Sequence, residues 1–183
     1  MKRKSFETMR CPAARALEHV GDGWNILILR DAFYGLSRFD EFQKSLGIAP
    51  NILTRRLNDL VESGLLERRA YTDKPPRHEY VLTPMGRDFR PVLLTLVAWG
   101  SKHFAPTEGP GIALTDDASG EPVDLIVADA RTGLPISPLT HSIHTTASAD
   151  ETAHWRMEAG RERRLAYSAT LVAATDSSPE GHP

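Results

Sequence analysis

Residues 46–82 read LGIAPNILTRRLNDLVESGLLERRAYTDKPPRHEYVL, and no other segment restricts the fold of this 183-residue chain so tightly. Pro50 suits a first helical turn, where its missing N–H does no harm. Leu53, Leu57, Leu60 and Val61 then recur at helical spacing and predict the buried stripe of a helix running to about Glu62. Asn51, Thr54, Arg55 and Asn58 fall on the far side, with Arg56 nearer the boundary. Gly64 ends the helix. Two short strands follow, about Leu66–Tyr71 and Arg77–Leu82, joined by TDKPP. Prolines lack the donor a ladder needs, so the link is expected to leave the sheet and protrude.

The flanks supply further helices. Cys11-Pro12 opens the first, in which Ala13, Ala16, Leu17 and Val20 keep helical spacing until Gly21-Asp22-Gly23. WNILILRDAF, residues 24–33, is apolar on nearly all sides and should lie at the centre of the domain. Gly35 stops it, and Ser37-Arg38-Phe39 suits a minimal strand. A third helix is expected from about Phe39 to Ser45, with Phe39, Phe42 and Leu46 inward and Gly47-Ile48-Ala49 as the turn into the next. Short helix, tight turn and second helix make a helix-turn-helix unit. Beyond the strands, Thr83 and Pro84 occupy the N-cap and first position of a long helix that Pro91 bends or restarts. PVLLTLVAWG is apolar around most of its girth. One face can pack on the domain, and the other asks for the same helix of a second subunit. The fold class is therefore α+β: a winged helix-turn-helix domain with dimerisation helices, plus a small C-terminal extension of short strands and one helix.

A helix that fits a major groove, followed by a basic hairpin that can lie along phosphates, is the layout of a double-stranded DNA reader. Thr54 and Arg55 are the first candidates for base contact, because Arg can donate two bonds to guanine and Thr can meet a thymine methyl. Asn51 and Asn58 come second. Arg38, Lys74 and Arg77 are candidate phosphate contacts, and Arg56 suits either a phosphate or an internal carboxylate. Strand alternation lets only one of Arg68 and Arg69 face DNA. His78 reads as a packed or exposed histidine. A dimer would set two recognition helices about 34–36 Å apart. Phe6, Met9, Val92, Leu93, Leu96, Val97 and Trp99 are candidates for its interface, the alternative being that they fill the subunit's own core.

Three stretches carry a resemblance: CPAARALEHVGDGWNILILRDAFYGLSRFDEF, LTRRLNDLVESGLLERR and PPRHEYVLTPMGRDFRPVLLTLVAWG. In this order they resemble the HxlR type of bacterial winged helix regulators, relatives of the MarR group, over about residues 8–104. The resemblance implies a homodimeric transcription regulator on inverted-repeat DNA and implies no catalysis. Ala49 departs from it: many members carry Ser or Thr there, where a hydroxyl would cap the recognition helix.

Cys11, the one cysteine, precedes Pro12 at an expected helix N-terminus. Exposed N–H groups and the macrodipole there favour a thiolate, and Arg10 and Arg15 add positive charge. It is the candidate redox sensor, and the resemblance includes members that sense thiol chemistry near this position. The competing reading is an inert cysteine that only packs.

Charge divides the chain. Residues 1–104 carry 17 Lys and Arg against 12 Asp and Glu, and residues 105–183 carry 5 against 12. That suits a DNA-binding domain, 1–104, joined by a linker, 105–111, to a small acidic region, 112–174, with 175–183 disordered. ASGEPVD and RTGLPIS, with Gly120 and Gly133 13 residues apart, form a weak internal repeat. Ile112–Thr115, Asp124–Ala128 and Leu139–His144 are candidate strands of a ribbon, and one helix is expected over about Asp150–Ala169. No cysteine follows Cys11, which excludes a Cys-based zinc ribbon, and His141, His144 and His154 read as loop histidines rather than metal ligands. No apolar run approaches the roughly 18 residues of a membrane span and the N-terminus has no signal-like core, so the expected setting is cytoplasmic. No phosphate loop, nucleophile elbow or metal motif appears. The expectation is a sequence-specific regulator, a repressor answering to a small molecule or thiol change, with DNA and a second copy as partners, no membrane, no cofactor and no enzyme activity. The alternatives are a low-specificity architectural DNA binder or an enzyme in the tail.

Overall fold

The computed structural model describes residues 5–74 and 76–176. Four helices come first: α1 (Pro12–Val20), α2 (Gly23–Phe33), α3 (Phe39–Leu46) and α4 (Pro50–Glu62). Strands β1 (Leu66–Asp73) and β2 (Pro76–Leu82) pair as an antiparallel hairpin, and α5 (Pro84–Asp88) and α6 (Arg90–Phe104) follow. The last elements are α7 (Glu151–Ala159) and α8 (Arg161–Asp176). The chain divides into two units, Met1–Leu125 and Ile126–Pro183. The first has the α+β winged helix-turn-helix architecture.

One core holds that unit together. Ile28 and Leu29 of α2, Phe42 of α3 and Leu53, Leu57 and Leu60 of α4 are completely buried, joined by Val20, Ile48, Leu65, Leu66 and Tyr80. Phe39, Leu46 and Val61 pack partly buried against it. The predicted stripe of α4 is thus the seam that seats this helix on α2 and α3. Burial of each such leucine is worth roughly 1.5–3 kcal/mol. α1 departs from its sequence pattern: Val20 is buried but Leu17 is exposed.

The hairpin is longer than its prolines suggest. Pairing runs from Leu66↔Leu82 to Asp73↔Pro76, with an irregularity between Ala70 and Thr72. Pro76 opens its strand, a position where no donor is demanded. Lys74 remains at the tip, and Pro75 lies outside the described residues. Arg38 bridges Glu79, and the Tyr80 N–H donates to the Ser37 carbonyl at 2.7 Å, so the minimal strand forms against β2. At the far side the helix does restart near Pro91: α5 ends at Asp88 and α6 begins at Arg90.

The tail differs from expectation. The three candidate strands are not strands. In their place stand two isolated bridges, Thr115↔Pro122 and Ala128↔Pro135, and each ends on a proline that cannot extend a ladder. The repeat itself is real and 13 residues in period. The Asp116 carboxylate accepts from the Ala118 and Ser119 N–H groups while Val123 N–H donates to Leu114 O; the Asp129 carboxylate accepts from Arg131 N–H while Ile136 N–H donates to Val127 O. The single expected helix is two. Gly160 closes α7, and Arg163 and Arg164 donate to the freed carbonyls of Ala159 and Met157. α8 runs to Asp176, and from residue 177 the segment read as disordered lies outside the described residues.

Candidate nucleic-acid interface

α4 is 13 residues long, about 20 Å at 1.5 Å per residue. Leu53, Leu57 and Leu60 fix one side to the core, so Asn51, Thr54, Arg55 and Asn58, three or four residues apart, share the opposite, exposed side. The Thr54 hydroxyl donates to the Pro50 carbonyl at 2.8 Å, which leaves its methyl as the free group. The Arg55 side chain makes no hydrogen bond or ion pair with another described residue. Ala49 is the N-cap and its side chain makes no capping bond.

Arg56 goes inward. Its guanidinium is 16% exposed, with Nη2 2.9 Å from Asp22 Oδ2 and Nη1 3.0 Å from Asp59 Oδ2. Asp22 is also the N-cap of α2, accepting from the Trp24 N–H at 3.0 Å. Arg56 therefore ties the recognition helix to the start of α2, which is the internal-carboxylate role of the two open to it. Buried Asn25 donates to the His19 carbonyl at 2.8 Å and ties α1 to α2.

α3 is set by Glu41, whose carboxylate accepts from the Ser37 and Arg38 N–H groups at 2.9 and 2.8 Å. Those two backbone bonds, with the charge of Arg38, hold its pKa below the ordinary 4.5. The cap is therefore fully present above the ordinary carboxylate range and is lost as pH falls through the lowered value. An NMR titration of Glu41 is expected to give a midpoint below that of a free glutamate. A midpoint at or above it would mean that Glu41 does not cap α3. Gly47, in the left-handed region at φ 59°, then turns the chain towards α4.

The wing carries its cations in different states. Lys74 and Arg77 are exposed at its tip and exit. The Arg38 guanidinium lies 4.8 Å over the Tyr71 ring. Arg69 pairs with Glu67 at 2.9 Å, and Arg68 meets His78 Nδ1 at 3.2 Å. Cys11 is half-buried as the N-cap of α1 and makes no side-chain capping bond.

The interface candidates separate into two groups. Val92, Leu96 and Trp99 are 56%, 43% and 54% exposed, while Phe6, Met9 and Val97 are half-buried. Leu93 is 5% exposed and faces its own domain, which withdraws it from a dimer contact: on an amphipathic helix the inward face belongs to the subunit. His141, His144 and His154 line one open cleft of about 540 Å³ in the second unit. Among the described residues no three His, Cys, Asp or Glu side chains are placed to hold a metal, and no helix is long and apolar enough to cross a membrane.

Sequence reading missed Asp22, Asp59 and Glu41 as positioning residues. Signals for two of them existed. An Asp before an apolar helical run is an N-cap signal, and Asp59 stands three residues after Arg56 on one helix.

The HxlR-like helix-turn-helix family model matches residues 19–108. An uncharacterized HTH-type transcriptional regulator of Mycobacterium tuberculosis, Rv3095, is 46% identical over 110 residues, 60% of this chain and 70% of its own length. YdeP of Bacillus subtilis, likewise an uncharacterized HTH-type regulator, is 36% identical over 94 residues, 51% of this chain and 73% of its own. The crystal structure of PA1607, described as a candidate transcription factor, superposes with a TM-score of 0.69 at 40% identity over 78% of this chain and 100% of its own. PA1374 of Pseudomonas aeruginosa gives 0.56 at 49% identity over 80% and 99%. A match over 78% of 183 residues necessarily includes positions beyond 108, so part of the tail is shared with PA1607. Recognition helix, wing and matched relatives agree, and the chain belongs to the HxlR-like family of helix-turn-helix transcriptional regulators.

Proposed function

We propose that the protein binds double-stranded DNA sequence-specifically, as a homodimer on an inverted repeat, and represses by occluding a promoter. The observation that carries this reading is α4: three fully buried leucines on one side and an exposed stripe of Asn51, Thr54, Arg55 and Asn58 on the other. Arg55, whose side chain is unpaired among the described residues, is the group free to read a guanine edge, and Thr54 offers a methyl to thymine. Arg38, Lys74 and Arg77 serve the phosphates, each releasing counterions. Arg56 is left out of that set because two carboxylates already hold it. Leu17 of α1 and Val92, Leu96 and Trp99 of α6 are the apolar residues that a second subunit would cover. A small molecule, or modification of Cys11, would release DNA by changing the spacing of the two recognition helices.

The test is a mobility shift at fixed salt on the protein's own upstream DNA. Arg55→Ala is expected to cost about 1–3 kcal/mol and relax base preference, whereas Lys74→Ala should weaken all sequences and lower the salt slope by about one. Equal effects from the two would refute this division of labour. No preference for any tested sequence over bulk DNA would favour an architectural binder. Oxidant that releases wild type but not Cys11→Ser assigns the switch to the thiol; release of neither points to a ligand.

A further inference from the structure

Leu93 is buried, and from 94 to 171 no residue is. Yet this stretch is rich in large apolar side chains. Ile112, Val123, Val127, Leu134, Ile136 and Ile143 are 41–81% exposed. The two Asp-anchored turns show that the stretch is not shapeless. Each turn pairs two apolar residues across its base, Leu114 with Val123 and Val127 with Ile136, through the bonds Val123 N–H to Leu114 O and Ile136 N–H to Val127 O. A segment with fixed turns, regularly placed apolar residues and no core needs a surface from outside itself.

Charge says what kind of surface. Residues 105–150 hold seven carboxylates and a single basic residue, Arg131. Their complement must be apolar and basic. α6 is both: Val92, Leu96, Trp99 and Phe104 are exposed, and Arg90 and Lys102 accompany them on its exposed surface. The first unit, which contains α6 together with residues 105–125, leaves Val123 41% and Phe104 70% exposed. Within that unit both apolar surfaces are left open, and a second copy offers the same complement.

We propose that residues 112–143 are an arm that clasps the α6 face of a second copy of this chain. The arm adds an acidic, apolar contact to the α6 face on which the homodimer reading already rests. In a two-fold pair the contact occurs twice, so its loss counts twice.

The experiment uses full-length protein. Light and ¹⁵N-labelled chains are mixed and treated with a zero-length reagent that joins carboxylates to lysine amines. Arm peptides joined to Lys102 peptides of the other isotope are the expected product. Arm cross-links confined to one isotope, or none to α6, would overturn the proposal. In parallel, sedimentation equilibrium compares wild type with Val123→Asp/Ile136→Asp. Neither residue is in the core, so the first unit should melt unchanged, while burying two carboxylates at the contact should weaken dimerisation about tenfold or more. An unchanged dimer constant would dismiss the arm alone. A wild type that stays monomeric at every concentration would dismiss the arm and the homodimer together.

Discussion

Gly86→Ala is expected to unfold the winged domain at a temperature at least about 10 °C lower, without touching any residue assigned to DNA. Gly86 is buried in α5, and a Cβ built there would stand 2.1 Å from the Leu65 carbonyl oxygen and 3.2 Å from Leu82 Cδ2. The first contact is with backbone, so no side chain can swing aside. Moving α5 is also opposed. Thr83 donates its hydroxyl to Gly64 O at 2.6 Å, accepts from Gly86 N–H at 3.0 Å, and its own N–H donates to Leu65 O at 3.1 Å. These bonds nail the start of α5 to the start of β1, and the methyl must break some of them. Overpacking of this kind costs about 3 kcal/mol or more, at several degrees per kcal/mol in a domain of this size. Gly23→Ala is the control: nothing lies within 4 Å of its added Cβ, and it opens α2. Circular-dichroism melts of the two variants decide the matter. A drop of under about 3 °C for Gly86→Ala would mean that α5 slides freely on the hairpin.

What the sequence disclosed and what it hid follow from the range of the interactions involved. α4 was legible to its ends, Pro50 and Glu62, because Pro at the first turn, four apolar residues at helical spacing and a following glycine are all local signals. The restart near Pro91 was legible for the same reason. The role of Arg56 was not. Its partner Asp22 lies 34 residues away, and whether an arginine meets phosphate or carboxylate depends on which helix ends beside it. Leu17 and Leu93 show the same limit from the other side. Both sit on apolar helical stripes, yet one is exposed and the other buried, because periodicity names a face without naming what covers it. In the tail, apolar runs read as strands, but among its described residues Pro122 and Pro135 sit at the two bridges and stop each ladder after one pair.

Arg56→Met should separate positioning from phosphate contact. Met matches the length of the stem and removes the charge, leaving the Asp22 and Asp59 carboxylates to face each other across the gap. A fully buried pair broken in this way costs about 3–5 kcal/mol, but Asp22 and Asp59 are 23% and 38% exposed, and water lowers the expected loss to about 1–3 kcal/mol. Lysine should rescue only in part, since one ammonium cannot reproduce two bonds made by Nη1 and Nη2. DNA affinity should fall as well, because α4 loses its tie to the capped start of α2 and the Arg55 stripe loses its fixed bearing. The salt dependence separates the explanations. If Arg56 only positions the helix, the slope of log K against log salt stays that of wild type while the intercept drops. A slope lower by about one, as expected for Lys74→Ala, would place Arg56 on a phosphate and make its ion pairs with Asp22 and Asp59 a resting state of the free protein.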